Sequence, residues 1–166
     1  MFESEFNYRN TITFLFSFIL FFWTVPVTAQ CWTSDLSEGE QVAVARETFE
    51  SELFAESIEA AKCYLDEFPV GNSKEEMLYL KAESFRKNGK LLYAVRGYDE
   101  FMISFPESND YLEEVMFHKG VLQARIKRYS DSMNSLKIFL RRFPNSRYSD
   151  DAYYWRGYAT SYHAEF

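Results

Sequence analysis

The chain is poor in the residues that staple small proteins or carry chemistry. Two cysteines in 166 residues allow one internal disulfide at most, which excludes a cystine-stapled miniprotein. The two histidines, His118 and His163, stand apart, and neither His-Glu-x-x-His nor Cys-x-x-Cys occurs, so no motif predicts a metal. With six glycines the chain has no phosphate-cradling loop and no Gly-x-Ser-x-Gly nucleophile elbow. Basic side chains number 18 against 25 acidic ones, a net charge of −7, which argues against a nucleic-acid partner. What is plentiful is apolar: 47% hydrophobic and 19% aromatic residues, enough for the core of one ordinary domain.

Residues 11–25, TITFLFSFILFFWTV, carry no charge. The run is shorter than the ~20 residues of a membrane span and fits the core of an export signal. Small residues in Val27-Thr28-Ala29 predict cleavage before Gln30, giving a signal peptide over 1–29 and a linker over 30–37. An uncleaved anchor and a buried core segment are the other readings. Thr28-Ala29-Gln30-Cys31 also resembles a lipobox, with Gln30 where bacterial lipoproteins carry Gly, Ala or Ser. That makes Cys31 a candidate for lipidation, the chain's one route to direct membrane contact.

The remainder repeats. Phe68-Pro69, Phe105-Pro106 and Phe143-Pro144 stand 37 and 38 residues apart. Twelve residues before each proline is a small residue: Ser57, Ala94 and Ser132. Twenty-four before are Ala45, Ala82 and Gly120, a column that Gly157 continues. Eight before are Ala61, Tyr98 and Leu136, five before Tyr64, Phe101 and Phe139, and four before Leu65, Met102 and Leu140. This three-and-four spacing marks an amphipathic helix that stops at each Phe, because proline disfavours helix in the residue before it. Ser37…Glu40, Ser73…Glu76 and Asp110…Glu113 have capping-box spacing and start the other helix of each unit. Lys87-Asn88-Gly89-Lys90 is a turn inside a unit, and the matching Glu50-Ser51-Glu52 offers no glycine. Helices are predicted over 38–50, 54–68, 74–87, 91–104, 110–125, 129–142 and 148–163. The small columns mark where the two helices of a hairpin cross, and each Phe plugs the joint between hairpins. The competing reading is an irregular helical bundle.

These residues resemble the tetratricopeptide repeat: small residues at the crossing, a hydrophobic ladder on the second helix, then proline. The longer period, with Phe143-Pro144-Asn145-Ser146-Arg147-Tyr148 and Ala152-Tyr153-Tyr154-Trp155-Arg156-Gly157, resembles exported repeat proteins of the Gram-negative envelope. That group includes the outer-membrane assembly lipoproteins (BamD-like) and the periplasmic Tol-Pal-associated coordinators. The expected fold is all-α, a tetratricopeptide-type α-solenoid of about three and a half hairpins over 38–166. Its units fall at about 38–72, 73–109, 110–147 and a partial 148–166. The resemblance implies a non-enzymatic scaffold with no cofactor, exported to the periplasm or the periplasmic face of the outer membrane. Its partner would be another envelope protein or a segment of one, held in a groove lined by the first helices. Carried over position by position, that groove comprises Phe49, Tyr79, Arg86, Phe117, Arg125, Tyr154 and Tyr158. Tyr and Arg are the side chains that dominate protein-binding hot spots. The competing use of these aromatics is packing between neighbouring hairpins.

Other signals have structural explanations. Ser84-Phe85-Arg86-Lys87 matches Ser-x-x-Lys without the partner motifs of penicillin-binding enzymes. Glu75-Glu76, Glu113-Glu114 and Asp150-Asp151 open helices, where the macrodipole favours acids. The histidines are read as packed or solvated, and Cys63 as a buried free thiol rather than the disulfide partner of Cys31. Helix 148–163 is half a hairpin: it is itself a cap, or another chain covers it, or more sequence follows. The last possibility keeps open the front scaffold of a longer peptidoglycan-processing enzyme, and the resemblance leaves a Tol-Pal-linked division adaptor open too.

Overall fold

The structure is a computed structural model that describes residues 31–163; the export signal and its cleavage site lie outside the described residues. Seven helices run in order: α1 (Glu38–Glu50), α2 (Phe54–Glu67), α3 (Lys74–Lys87), α4 (Leu91–Ser104), α5 (Leu112–Arg125), α6 (Tyr129–Arg142) and α7 (Ser149–His163). No strand occurs among the described residues. Each helix packs on the next, and the first helices also touch across units, α1 on α3 and α5 on α7. The architecture is three tetratricopeptide-type hairpins followed by α7.

Three structurally matching turns close the hairpins. Leu53, Lys90 and Arg128 donate backbone N–H groups to the carbonyls of Thr48, Phe85 and Gln123, at 2.8–2.9 Å. Glu52, Gly89 and Lys127 donate to Phe49, Arg86 and Ala124. This double bond is the Schellman motif, and it requires one left-handed residue. Glu52 (φ 59°), Gly89 (φ 73°) and Lys127 (φ 63°) fill that position. Only one of the three turns uses glycine, yet all three close in the same way.

Hydrogen bonds cross the hairpins at the small columns. Ser57 Oγ donates to the Ala45 carbonyl at 3.1 Å, and Ser132 Oγ to the Gly120 carbonyl at 2.7 Å. In the second hairpin Ala94 replaces the serine, and closeness is supplied by Gly97, where an added Cβ would stand 2.9 Å from that of Ala82. Ala60, Gly97 and Ser135 thus form a further small column, nine residues before each proline. Phe68, Phe105 and Phe143 end α2, α4 and α6, each N–H bonded at 2.8 Å to the carbonyl four residues back. Their rings tilt against Tyr64, Phe101 and Phe139 at centroid distances of 5.4, 5.8 and 5.8 Å. All three Phe rings are half-buried against the core, as joint plugs.

Three expectations need correction. Of the capping boxes only Ser37…Glu40 forms, with Ser37 N–H donating to the Glu40 carboxylate at 2.8 Å. Ser73 N–H instead donates to the Tyr64 hydroxyl at 3.0 Å, and that hydroxyl donates to Glu38 at 2.7 Å. Second, α5 begins at Leu112, because Tyr111 N–H is taken by Ser108 Oγ at 3.2 Å and Asp110 stays outside the helix. The extra residue of the 38-residue period lies here: seven residues join α4 to α5, against six at the other joints. Third, Cys63 is not a free thiol. It is disulfide-bonded to Cys31, with Cα atoms 5.3 Å apart. The apolar neighbours of Cys63 on α2 suit a buried thiol equally well, and the bond forms because residues 31–37 fold back onto the first hairpin.

Candidate partner-binding face

The predicted groove residues lie on the first helices, and their environments differ along the array. On α1, Phe49 is half-buried and meets Phe54 edge-on at 5.8 Å. Nearby Arg46 makes a two-pronged ion pair with Glu76 of α3. On α3, Tyr79 stacks on Tyr111 at 4.3 Å, and Arg86 clamps the carboxylate of Glu83 through Nε and Nη2. Phe117 on α5 departs from the prediction. It is 6% exposed, stacked on Tyr148 at 4.5 Å and tilted against Phe139, so its ring serves the joint and offers no partner surface. Arg125, at the end of α5, is exposed. On α7, Tyr154 is 65% exposed, while Tyr158 is half-buried between Trp155 and Tyr162.

The column of groove residues has a cover that its spacing alone does not disclose. Tyr79, Phe117 and Tyr154 occupy one column, 38 and 37 residues apart. The first two rings are each covered face-on by the aromatic residue that precedes the next first helix, Tyr111 and Tyr148. Nothing among the described residues covers Tyr154 in that way; its neighbour Trp155 meets it edge-on at 5.7 Å. The signal was available as an aromatic at the same offset in two units, but that column is serine in the first unit (Ser73).

Beneath this face lies a polar network between α3, α4 and α5. Glu83 is 2% exposed, and its carboxylate accepts from Arg86 and from the hydroxyl of Tyr98, which is itself fully buried. Burial, and then the charge of Glu83, push the Tyr98 phenol far up; burial with Glu83 and Glu114 does the same to Tyr79. A hydrogen bond with His118, 3.2 Å away, holds Glu114 below the usual carboxylate range. Ligand atoms of Glu83, Glu114 and His118 come within 4.8 Å of one another. Those of Glu83 already face a guanidinium and a phenol, which makes this carboxylate a clamp between α3 and α4. A tyrosine in a column otherwise held by Ala61 and Leu136 was the available sign of this clamp, since a buried phenol needs a partner.

The sequence matches a family model, described as the YfiO outer membrane lipoprotein, over residues 27–159. The chain belongs to that family. No curated protein matches it. As a YfiO-family member it is an exported protein of the periplasmic side of the envelope. No helix among the described residues is long and apolar enough to cross a membrane.

Proposed function

We propose that this YfiO-family chain is a non-catalytic scaffold that holds a segment of another envelope protein against its first-helix face, in outer-membrane protein assembly. The observation that carries this reading is the match to the outer membrane lipoprotein family, joined to an aromatic first-helix face on which Tyr154 is exposed. In the two preceding units the equivalent ring is covered by an aromatic residue at a helix start, whereas the Tyr154 ring is 65% exposed among the described residues. Gly157 continues the crossing column, and among the described residues nothing lies within 4 Å of where its Cβ would stand. A partner helix that opens with an aromatic residue satisfies both features, stacking on Tyr154 and crossing close at Gly157. Exposed Tyr153 and Tyr162 on the same helix enlarge the apolar target.

The test is site-specific photocrosslinking in intact envelopes, with the photoreactive residue at position 154 or, as control, at exposed Glu59 on α2. The expected result is one discrete adduct from position 154 with an outer-membrane assembly component. Equal labelling from both positions would remove the face assignment, and an adduct with a Tol-Pal component would replace assembly by division. Alanine at Tyr79 or Phe117 would test packing instead of binding, because both rings are stacked inside joints. Tyr154→Ala with Tyr158→Ala should abolish the adduct formed from position 153 while helicity by circular dichroism stays unchanged.

A further inference from the structure

Membership in a lipoprotein family directs attention to Cys31, the one cysteine beside the export signal. Lipid attachment replaces the thiol hydrogen by a thioether bond to a diacylglyceryl carbon, and a sulfur so substituted has no valence left for a disulfide. In this chain that sulfur is bonded to Cys63. We infer that Cys31 is a structural staple of the first hairpin and not an acylation site.

The segment around Cys31 is built for that role. Cys31 accepts from the backbone N–H of Ser34 at 3.1 Å, and Thr33 from that of Leu36 at 3.0 Å, which folds the segment into a turn. Thr33 is fully buried, and its carbonyl accepts from the side-chain amide of buried Gln41 at 2.9 Å. The same amide donates to Glu67 at 2.6 Å, so α1, α2 and the incoming turn are tied at one point. Cys63 is 5% exposed on α2, and the Cα separation of 5.3 Å lies within the range a disulfide requires. A lipid-bearing cysteine needs its sulfur directed away from the protein toward a bilayer; here it points into the first hairpin. Gln30, directly before Cys31, is larger than the small residues lipoproteins carry there, which agrees with a site that lipid transfer passes over. In forming the bond the two thiols give up two protons and two electrons to a protein disulfide of the oxidising compartment, which leaves as a dithiol.

The full-length chain, with its own signal, is produced in a Gram-negative host that processes lipoproteins. Protein from the membrane and soluble envelope fractions is alkylated under denaturing, non-reducing conditions and weighed intact. The expected spectrum shows no acyl addition and no alkylation, and the protein gains two alkyl groups only after reduction. A diacylglyceryl mass with one alkylated thiol would overturn the inference, as would two free thiols. The variants Cys31→Ser and Cys63→Ser give a second readout. A staple predicts equal falls in thermal midpoint for the two and an unchanged split between fractions. A lipid site predicts that Cys31→Ser alone releases protein from the membrane and that Cys63→Ser has no effect.

Discussion

The carboxylate of Glu83 sits at 2% exposure and is sustained by two donors, Arg86 and Tyr98. Removing one partner of a buried pair strands the other, a loss of about 3–5 kcal/mol. Arg86→Met should therefore lower the unfolding free energy by about 3 kcal/mol, read as a fall in urea midpoint at constant slope and larger than for a surface Arg→Met change. Tyr98→Phe should cost about 2 kcal/mol, the worth of a hydrogen bond to a charged group. The same phenols set a pH dependence. Folded Tyr79 and Tyr98 keep their protons well above the ordinary value of about 10 while unfolded tyrosines ionise there. Their contribution is complete below about pH 10 and lost above it, at up to ~1.4 kcal/mol per pH unit for each group. Urea midpoints between pH 8 and 11 should show this fall, with a shallower slope in Tyr98→Phe. An unchanged slope would mean that Tyr98 ionises as freely folded as unfolded.

At the scale of elements, the hairpin turns show how far one sequence discloses its fold. Columns of small and aromatic residues counted back from three prolines were enough to bound α1, α3, α4 and α6 to the residue, and the others within one or two. The turn chemistry was less legible. Gly89 marks the left-handed residue of its turn, but Glu52 and Lys127 take the same conformation at a steric cost, because packing of the helices on either side dictates it. Lys127→Gly should accordingly stabilise the protein by about 0.5–1 kcal/mol, and Gly89→Ala destabilise it by about 1–2 kcal/mol. Thermal midpoints moving in opposite directions would bear this out. The candidate face was legible only as a column list. Burial of Phe117 and exposure of Tyr154 depend on which aromatic residue follows one repeat later, and pattern within a single helix holds no information about that. The disulfide was hidden for the same reason, since residues 31–37 have no periodicity to report.

Across the whole molecule, stability is distributed as in any linear array, each hairpin leaning on its neighbours. The disulfide closes a segment with a sequence separation of 32 at one end of that array. By loop-closure entropy such a link is worth about 3–4 kcal/mol. Its reduction should be felt locally. Amide exchange in α1 and α2 should quicken on adding reductant, while α6 and α7 keep their protection, a contrast readable by mass spectrometry of peptides. Uniform loss of protection along the chain would show instead that the seven helices open as a single cooperative block.

The stacked pairs Tyr79–Tyr111 and Phe117–Tyr148 have centroid distances of 4.3 and 4.5 Å and interplanar angles of 23° and 9°. The underside of one hairpin is thus made to nearly the same gauge as the next. Interfaces that match in this way make the unit copyable. A tandem duplication of the unit that begins at Tyr111 inherits an aromatic cover at both of its seams. Lineages can lengthen or shorten such a chain by whole hairpins while the reach of the scaffold changes in fixed steps.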